Sequence, residues 1–325
     1  MGNNCPCLDI RSKHEKLWHE VMTDGYEYKV ACCCGGTKPR MDVIIDLLER
    51  GAEPDYRSSR GGRNGDTMIH RAVRLRHMEL LQLLMQKATQ LSVVSIQFSS
   101  TPMHYAIQNN MEKYYLMLAK RGADPSVVAA GETVLSMCVL NKRYHEALRN
   151  IVQIVGMDKD KLRGLNHEGL SVLHVAIKKK RRQILDWLTS GNRVPIDLED
   201  AEGRPPLFYA VELDHTECCK ILLRNGANLA KRGPHKATSL IHASILRRSN
   251  PLKSILWDIA KTRSMARLND VDKDGNTAIH YAVTSARGGI LKLLLKAGAN
   301  PNIANKKKCY VSIAAAFLVQ STKYH

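Results

Sequence analysis

The sequence predicts an all-α fold of stacked helix-turn-helix units joined by hairpin loops. One motif carries most of that expectation. Thr67-Met68-Ile69-His70-Arg71-Ala72 returns as Thr101-Pro102-Met103-His104-Tyr105-Ala106, Thr133-Val134-Leu135-Ser136, Ser171-Val172-Leu173-His174-Val175-Ala176, Pro205-Pro206-Leu207-Phe208-Tyr209-Ala210, Ser239-Leu240-Ile241-His242 and Thr277-Ala278-Ile279-His280-Tyr281-Ala282. Successive starts lie 34, 32, 38, 34, 34 and 38 residues apart. A second, Leu-rich segment follows several copies after a short polar turn and ends in Gly122-Ala123, Gly226-Ala227 and Gly298-Ala299; a like segment ending in Gly51-Ala52 closes a first, half-degenerate unit ahead of Thr67. A fixed period of this size marks one supersecondary unit stacked many times.

The residue types in each unit have physical reasons. Thr or Ser ahead of Pro or an apolar residue is an N-cap followed by the first helical position; the hydroxyl accepts from an orphan amide, and Pro there loses no hydrogen bond. Ala72, Ala106, Ala176, Ala210 and Ala282 keep one helix face small, so neighbouring helices approach closely while Leu and Ile fill the layer between. Gly51, Gly122, Gly226 and Gly298 fall where a left-handed residue ends the second helix at little steric cost. Departures are local. Pro205 removes the capping hydroxyl, and Ser136 and Phe208 replace the His. The 38-residue spacings imply insertions of about four residues before Ser171 and Thr277, expected in loops. Lys142 to Asn166 is the least repeat-like stretch and is expected to pack irregularly.

The pattern resembles the ankyrin repeat, a unit of about 33 residues carrying TPLHxA, and the resemblance covers roughly residues 38–318. It implies an ankyrin-repeat solenoid of about eight units, with residues 1–37 as an N-terminal segment that includes a capping helix around Leu17 to Tyr26, and residues 38–325 as the array. Length alone suggests two domains, but stacked repeats form one quasi-linear array. In this family the recurrent His ties the turn to the neighbouring unit, so His70, His104, His174, His242 and His280 are assigned to the scaffold. Cys218 and Cys219 stand where the second helix places Val, and a neutral thiol packs as a small hydrophobe.

Of the 325 residues 44% are hydrophobic and 25% charged, which excludes a wholly disordered chain. No apolar run is long enough to span a bilayer, and the N-terminus lacks the apolar stretch of a secretory signal. The nine cysteines are therefore read as thiols of a protein in a reducing compartment, cytoplasmic or nuclear. Cys32–Cys34, beside Cys5 and Cys7, read as a cysteine-rich surface segment rather than a metal site, because adjacent thiolates rarely share one tetrahedral ion. No P-loop, GxGxxG after a strand, HExxH or GxSxG occurs, and Gly61–Gly65 reads as a flexible hairpin tip. The sequence thus predicts no enzyme, no cofactor and no metal.

Charge is the most informative departure. Lys and Arg number 49 against 31 Asp and Glu, a net +18. Lys142 to Arg182 holds eleven basic residues against four acidic ones, including the run Lys178–Arg182; Arg247-Arg248 and Lys306–Lys308 follow. Such runs are nuclear import signals, patches for acidic partners or solvated turns. By the resemblance, partners are held by the hairpin tips and the exposed face of the first helices. That frame nominates Lys178, Lys179, Arg204, His235, Lys236, Arg247 and Lys273 as partner-binding residues, with His167, Glu168, Glu202 and Asp274 in equivalent positions. Lys178, Lys179 and Arg247 would form a basic concave band attracting an acidic protein segment.

The expected function is a non-enzymatic, monomeric scaffold or adaptor that binds a protein partner. Two alternatives stand beside it. One is a nuclear regulator meeting nucleic acid through the basic face, which the scarcity of aromatics disfavours. The other is a membrane-attached adaptor acylated at Gly2, Cys5 and Cys7, with Pro6 standing where the acylation motif prefers Ser or Thr.

Overall fold

The computed structural model describes residues 13–22, 41–54, 66–95, 99–156, 158–284 and 288–309. Gly2, Cys5, Cys7, Cys32–Cys34 and Gly61–Gly65 lie outside them, as does the C-terminal stretch from Tyr310. The described residues form sixteen α-helices and no strands, only isolated bridges. Their paired order is α1 (Lys13–Met22) and α2 (Met41–Glu49), α3 (Met68–Arg74) and α4 (Met78–Lys87), α5 (Pro102–Gln108) and α6 (Glu112–Lys120), α7 (Val134–Leu140) and α8 (His145–Val155). There follow α9 (Val172–Lys178) and α10 (Arg182–Thr189), α11 (Pro206–Glu212) and α12 (Thr216–Arg224), α13 (Ser239–Ile245) and α14 (Ser249–Thr262), α15 (Ala278–Thr284) and α16 (Gly288–Lys296).

The chain divides into two compact units, one of residues up to Cys138 with Arg143–Lys161, the other of Val139–Lys142 with the residues from Leu162 onward. In the first, α1, α3 and α5 pack in series, as do α2 with α4 and α6 with α8. The second follows the same plan: α9, α11, α13 and α15 make one layer and α10, α12, α14 and α16 the other. The alanines singled out above sit between the first helices and are fully buried, as is Ala243. Leu80, Leu84, Leu118, Leu185, Leu222, Ile255 and Leu294 fill the space between the layers. Each such side chain contributes roughly 1.5–3 kcal/mol on burial. The four glycines after the second helices have φ between +82° and +91°, the left-handed conformation their position requires.

Several local expectations are corrected. The first helix starts at Lys13, earlier than expected, and α1 pairs with α2 through buried Leu17 and Val21 and a Lys13 Nζ bond to the Arg50 carbonyl (3.1 Å). A boundary at residues 37/38 therefore passes between the two halves of one hairpin. Within Lys142–Asn166 the part His145–Val155 is a regular helix: between 3₁₀ turns at Lys142–Tyr144 and Lys159–Leu162, the eleven residues of α8 bury Ala147, Leu148, Ile151, Val152 and Val155 on a single face. The insertion before Thr277 does not all fall in a loop. It lengthens α14 to 14 residues, against eight to eleven in the other second helices from α4 to α16. One motif start also moves. The N-cap of α13 is Thr238, not Ser239; its Oγ1 accepts from Ile241 N at 3.5 Å. Ala243 then takes the alanine position and Ile241, not His242, the histidine position.

Candidate functional site

The candidate surface rests on how one hairpin is fastened to the next. His70, His104, His174 and His280 are buried, and each uses both ring nitrogens. Nδ1 faces the N-cap hydroxyl of its own helix at 2.7–2.9 Å, that of Thr67, Thr101, Ser171 or Thr277. Nε2–H donates to the carbonyl of Ser100, Glu132, Arg204 or Cys309 at 3.0–3.2 Å. In the first three cases that carbonyl immediately precedes the N-cap of the following hairpin. A neutral His104 or His174 imidazole protonated on Nε2 satisfies both contacts, its Nδ1 accepting from the hydroxyl. Burial accordingly lowers the His104 and His174 pKa values to about 4. Ser171 differs from an ordinary cap, since its side chain bonds His174 and makes no bond to a helix amide.

The exceptions are informative. Ser136 exchanges hydrogen bonds with Thr133 in both directions, so the local cap survives the loss of the ring. Phe208 has no nitrogen to offer and stacks instead on the displaced His242, with centroids 3.8 Å apart and planes at 18°. His242 consequently leaves the shared scaffold role, and its buried Nε2 has no hydrogen-bond partner.

Hairpin tips in the second unit are built by an Asn or Asp that lies outside the repeated helix motif. Asn166, Asp200, Asp272 and Asn305 each accept two backbone amides on Oδ1, from the residues two and four positions on, at 2.8–3.1 Å. The signal was present as Asn or Asp three residues before Gly169, Gly203 and Gly275. Successive tips are then sewn together by backbone bonds: Ala201 N–H to Gly169 O (2.9 Å), Lys273 N–H to His235 O (3.0 Å) and Lys306 N–H to Asp274 O (3.1 Å). Gly169 is required twice over, by φ +72° and because a Cβ there would lie 2.4 Å from that of Ala201. The His235 tip is different. Gly233 stands where the others have Asp or Asn, its N–H reaching the Ala237 carbonyl at 2.9 Å, and Nη1 of the preceding Arg232 donates to the carbonyls of Lys236 (2.7 Å) and Val271 (2.5 Å).

On this frame the nominated residues fall into three groups. His235, Lys236 and Lys273 are exposed on adjacent tips, and Lys306, Lys307 and Lys308 are exposed on the next. Lys178, Lys179 and Arg247 lie at the ends of first helices or in the turns that follow; Lys178 is half exposed and pairs with Glu168 at 2.6 Å. Arg204 is not an open contact. Its side chain is 13% exposed, meets Asp200 at 2.7 Å and Glu202 and Glu212 at 3.2 Å, and lies over the Tyr209 ring. The continuous basic band is also corrected. The hairpin between Lys179 and Arg247 contributes Glu212 and Asp214, and Asp214 pairs with Arg248 at 3.4 Å. Cys138, Cys218 and Cys219 are buried, and burial pushes all three thiols up in pKa, as a packing role requires. No helix among the described residues is long and apolar enough to cross a membrane.

Comparison with known proteins agrees with this construction. A family model described as ankyrin repeats (3 copies) matches residues 30–129 and 135–233, and a single ankyrin-repeat model matches 274–306. Human transient receptor potential cation channel subfamily A member 1 is 30% identical over 45% of this chain and 13% of its own length. Mouse Rabankyrin-5 is 23% identical over 64% and 18%, and the chicken nuclear factor NF-kappa-B p105 subunit 21% over 74% and 21%. The chain thus spans at most about a fifth of these three relatives. The crystal structure of the ankyrin repeat domain of Bcl-3 superimposes with a TM-score of 0.54 at 22% identity, covering 72% of this chain and all of that one. At such identity the likeness concerns the fold.

Proposed function

The chain belongs to the ankyrin-repeat family, and from that premise we propose that it is a non-enzymatic recognition module whose hairpin tips in the second unit hold an acidic segment of a protein partner. Ankyrin repeats are generally protein-interaction modules, and the matched family models cover most of the chain. The observation that supports the acidic-partner reading is the tip-to-tip hydrogen bonding. It sets His235, Lys236, Lys273 and Lys306–Lys308 on neighbouring loops, with Asp274, the buried Asp272 and Glu202 as the carboxylates near them. Loops fixed in this way lose little conformational entropy on binding, so charge complementarity is not offset by ordering.

The proposal shifts weight from Lys178, Lys179 and Arg247 to the tips, because Glu168 already pairs with Lys178 and the hairpin between Lys179 and Arg247 carries Glu212 and Asp214. A comparative pull-down with quantitative mass spectrometry separates the two. Lys236→Glu/Lys273→Glu/Lys307→Glu should lose the acidic proteins retained by the wild type at least tenfold. Lys178→Glu/Lys179→Glu/Arg247→Glu should retain most of them. All three tip positions are exposed, so circular dichroism should not change. Equal recovery by the tip variant would refute the assignment. Recovery that disappears on nuclease treatment and falls steeply with salt would point to nucleic acid instead.

A further inference from the structure

Trp257 takes no part in the stack's fastenings or in the tips. It lies on α14, the lengthened second helix, and is 66% exposed. Superposing second helices on their buried positions aligns Trp257 with Gln86, Lys120, Arg224 and Lys296. Four hairpins thus place a long polar side chain where this one places the largest apolar surface available. A solvent-facing indole on the polar stripe of a helix gains nothing from folding. The packing of the stack does not explain it.

Its surroundings do form a site. Between α12 and α14 runs a groove of about 590 Å³, within the range of ligand and peptide pockets. Trp257 and Ile221 supply apolar surface, and the polar rim is mostly cationic: Lys220, Arg224, Lys253 and Lys261 against Glu217. Glu217 is already paired with Lys220 at 2.8 Å, and Arg224 with Asp186 at 2.7 Å. Lys253 forms no ion pair among the described residues, and Lys261 sits 5.2 Å from the Trp257 ring centroid, holding positive charge over its face. None of these residues belongs to the tips.

We propose that the α12–α14 groove is a second docking site, separate from the tips, for an acidic peptide segment carrying an apolar anchor residue. The anchor covers the Trp257 indole and reaches Ile221, while flanking carboxylates meet Lys253 and Lys261. Charge complementarity selects this occupant. An uncharged apolar peptide would leave the lysines unmatched, and a basic one would meet like charge.

The test uses the full chain with Trp18→Phe and Trp187→Phe, so that Trp257 is the sole indole reporter. Synthetic peptides of alternating Glu and Leu, of Glu alone and of alternating Lys and Leu are titrated against its emission. The Glu-Leu peptide should shift the emission to the blue and saturate, and the other two should bind at least tenfold more weakly. Trp257→Arg, which copies the residue at the matching place in α12, should abolish binding measured by polarisation of the labelled peptide. Lys253→Glu/Lys261→Glu should weaken it at least tenfold with helix content unchanged. Blue shift with phosphatidylserine vesicles but not with the peptide, a concentration-dependent dimer that quenches access to Trp257, or no peptide discrimination would each overturn the proposal. The tip variant Lys236→Glu/Lys273→Glu/Lys307→Glu should bind the Glu-Leu peptide as the wild type does, which keeps the two sites distinguishable.

Discussion

His174→Ala is expected to destabilise the second unit by about 2–4 kcal/mol, read as a lowered urea midpoint. The ring is fully buried, donates to the Arg204 carbonyl at 3.0 Å and bonds the Ser171 hydroxyl at 2.7 Å. Its removal strands two polar groups in the interior, each costing about 1–3 kcal/mol when unpaired, and opens a void beside Tyr209, whose ring stands edge-on at 5.2 Å. Phenylalanine at the same place restores the volume without the nitrogens. The native Phe208 shows that the position accepts that ring. His174→Phe should therefore recover part of the loss but not all of it. If both variants unfold within 0.5 kcal/mol of the wild type, the histidine is not a fastening.

Acid should weaken the same fastenings. His104 and His174 have folded-state pKa values near 4, below the ordinary 6.5, because burial disfavours the imidazolium. The unfolded chain takes up protons as pH falls through 6.5, while the folded chain does not until about 4. Their contribution is thus fully present above pH 6.5 and is lost progressively between 6.5 and 4. At about 1.4 kcal/mol per pKa unit the loss approaches roughly 3 kcal/mol for each residue. Urea midpoints at pH 7.0, 5.5 and 4.5 should fall in that order, and His174→Phe should show a shallower fall by the equivalent of one proton. A variant as steep as the wild type would mean that His174 does not carry the protonation.

Much of the architecture was legible because it is written in short-range chemistry. Thr67 and Thr101 cap, the alanines admit close approach and the glycines end helices, and each needs only a few neighbours in sequence to be recognised. What failed was of a different kind. Thr238 and Ser239 can both cap, and a histidine at 242 attracted the wrong register; only Ala243, matched to Ala210 and Ala282, decides between them. The insertion before Thr277 looked like a loop because nothing local distinguishes a loop from about one more turn of a helix that still buries Ile255 and Ile259.

The recognition surface was less legible still. Whether Arg204 is open or neutralised depends on Glu212, one helix away, and whether Arg247 joins Lys179 in one band depends on the hairpin stacked between them. Sequence position names which residues sit on tips. It does not say which of their charges have been met by a neighbour. Asn166, Asp200 and Asp272 could have been found earlier from their spacing to glycine, and Trp257 from its misfit with Arg224 at the matching place.

At His70, His104, His174 and His280 a single buried ring fastens its hairpin to the chain that follows. Amide hydrogen exchange of His174→Ala, followed peptide by peptide, tests it most directly. Protection should fall by about tenfold or more both in α9 and across residues 200–211 of the following hairpin, and stay unchanged in α15 and α16. Loss confined to α9, or spread evenly over every hairpin, would contradict it.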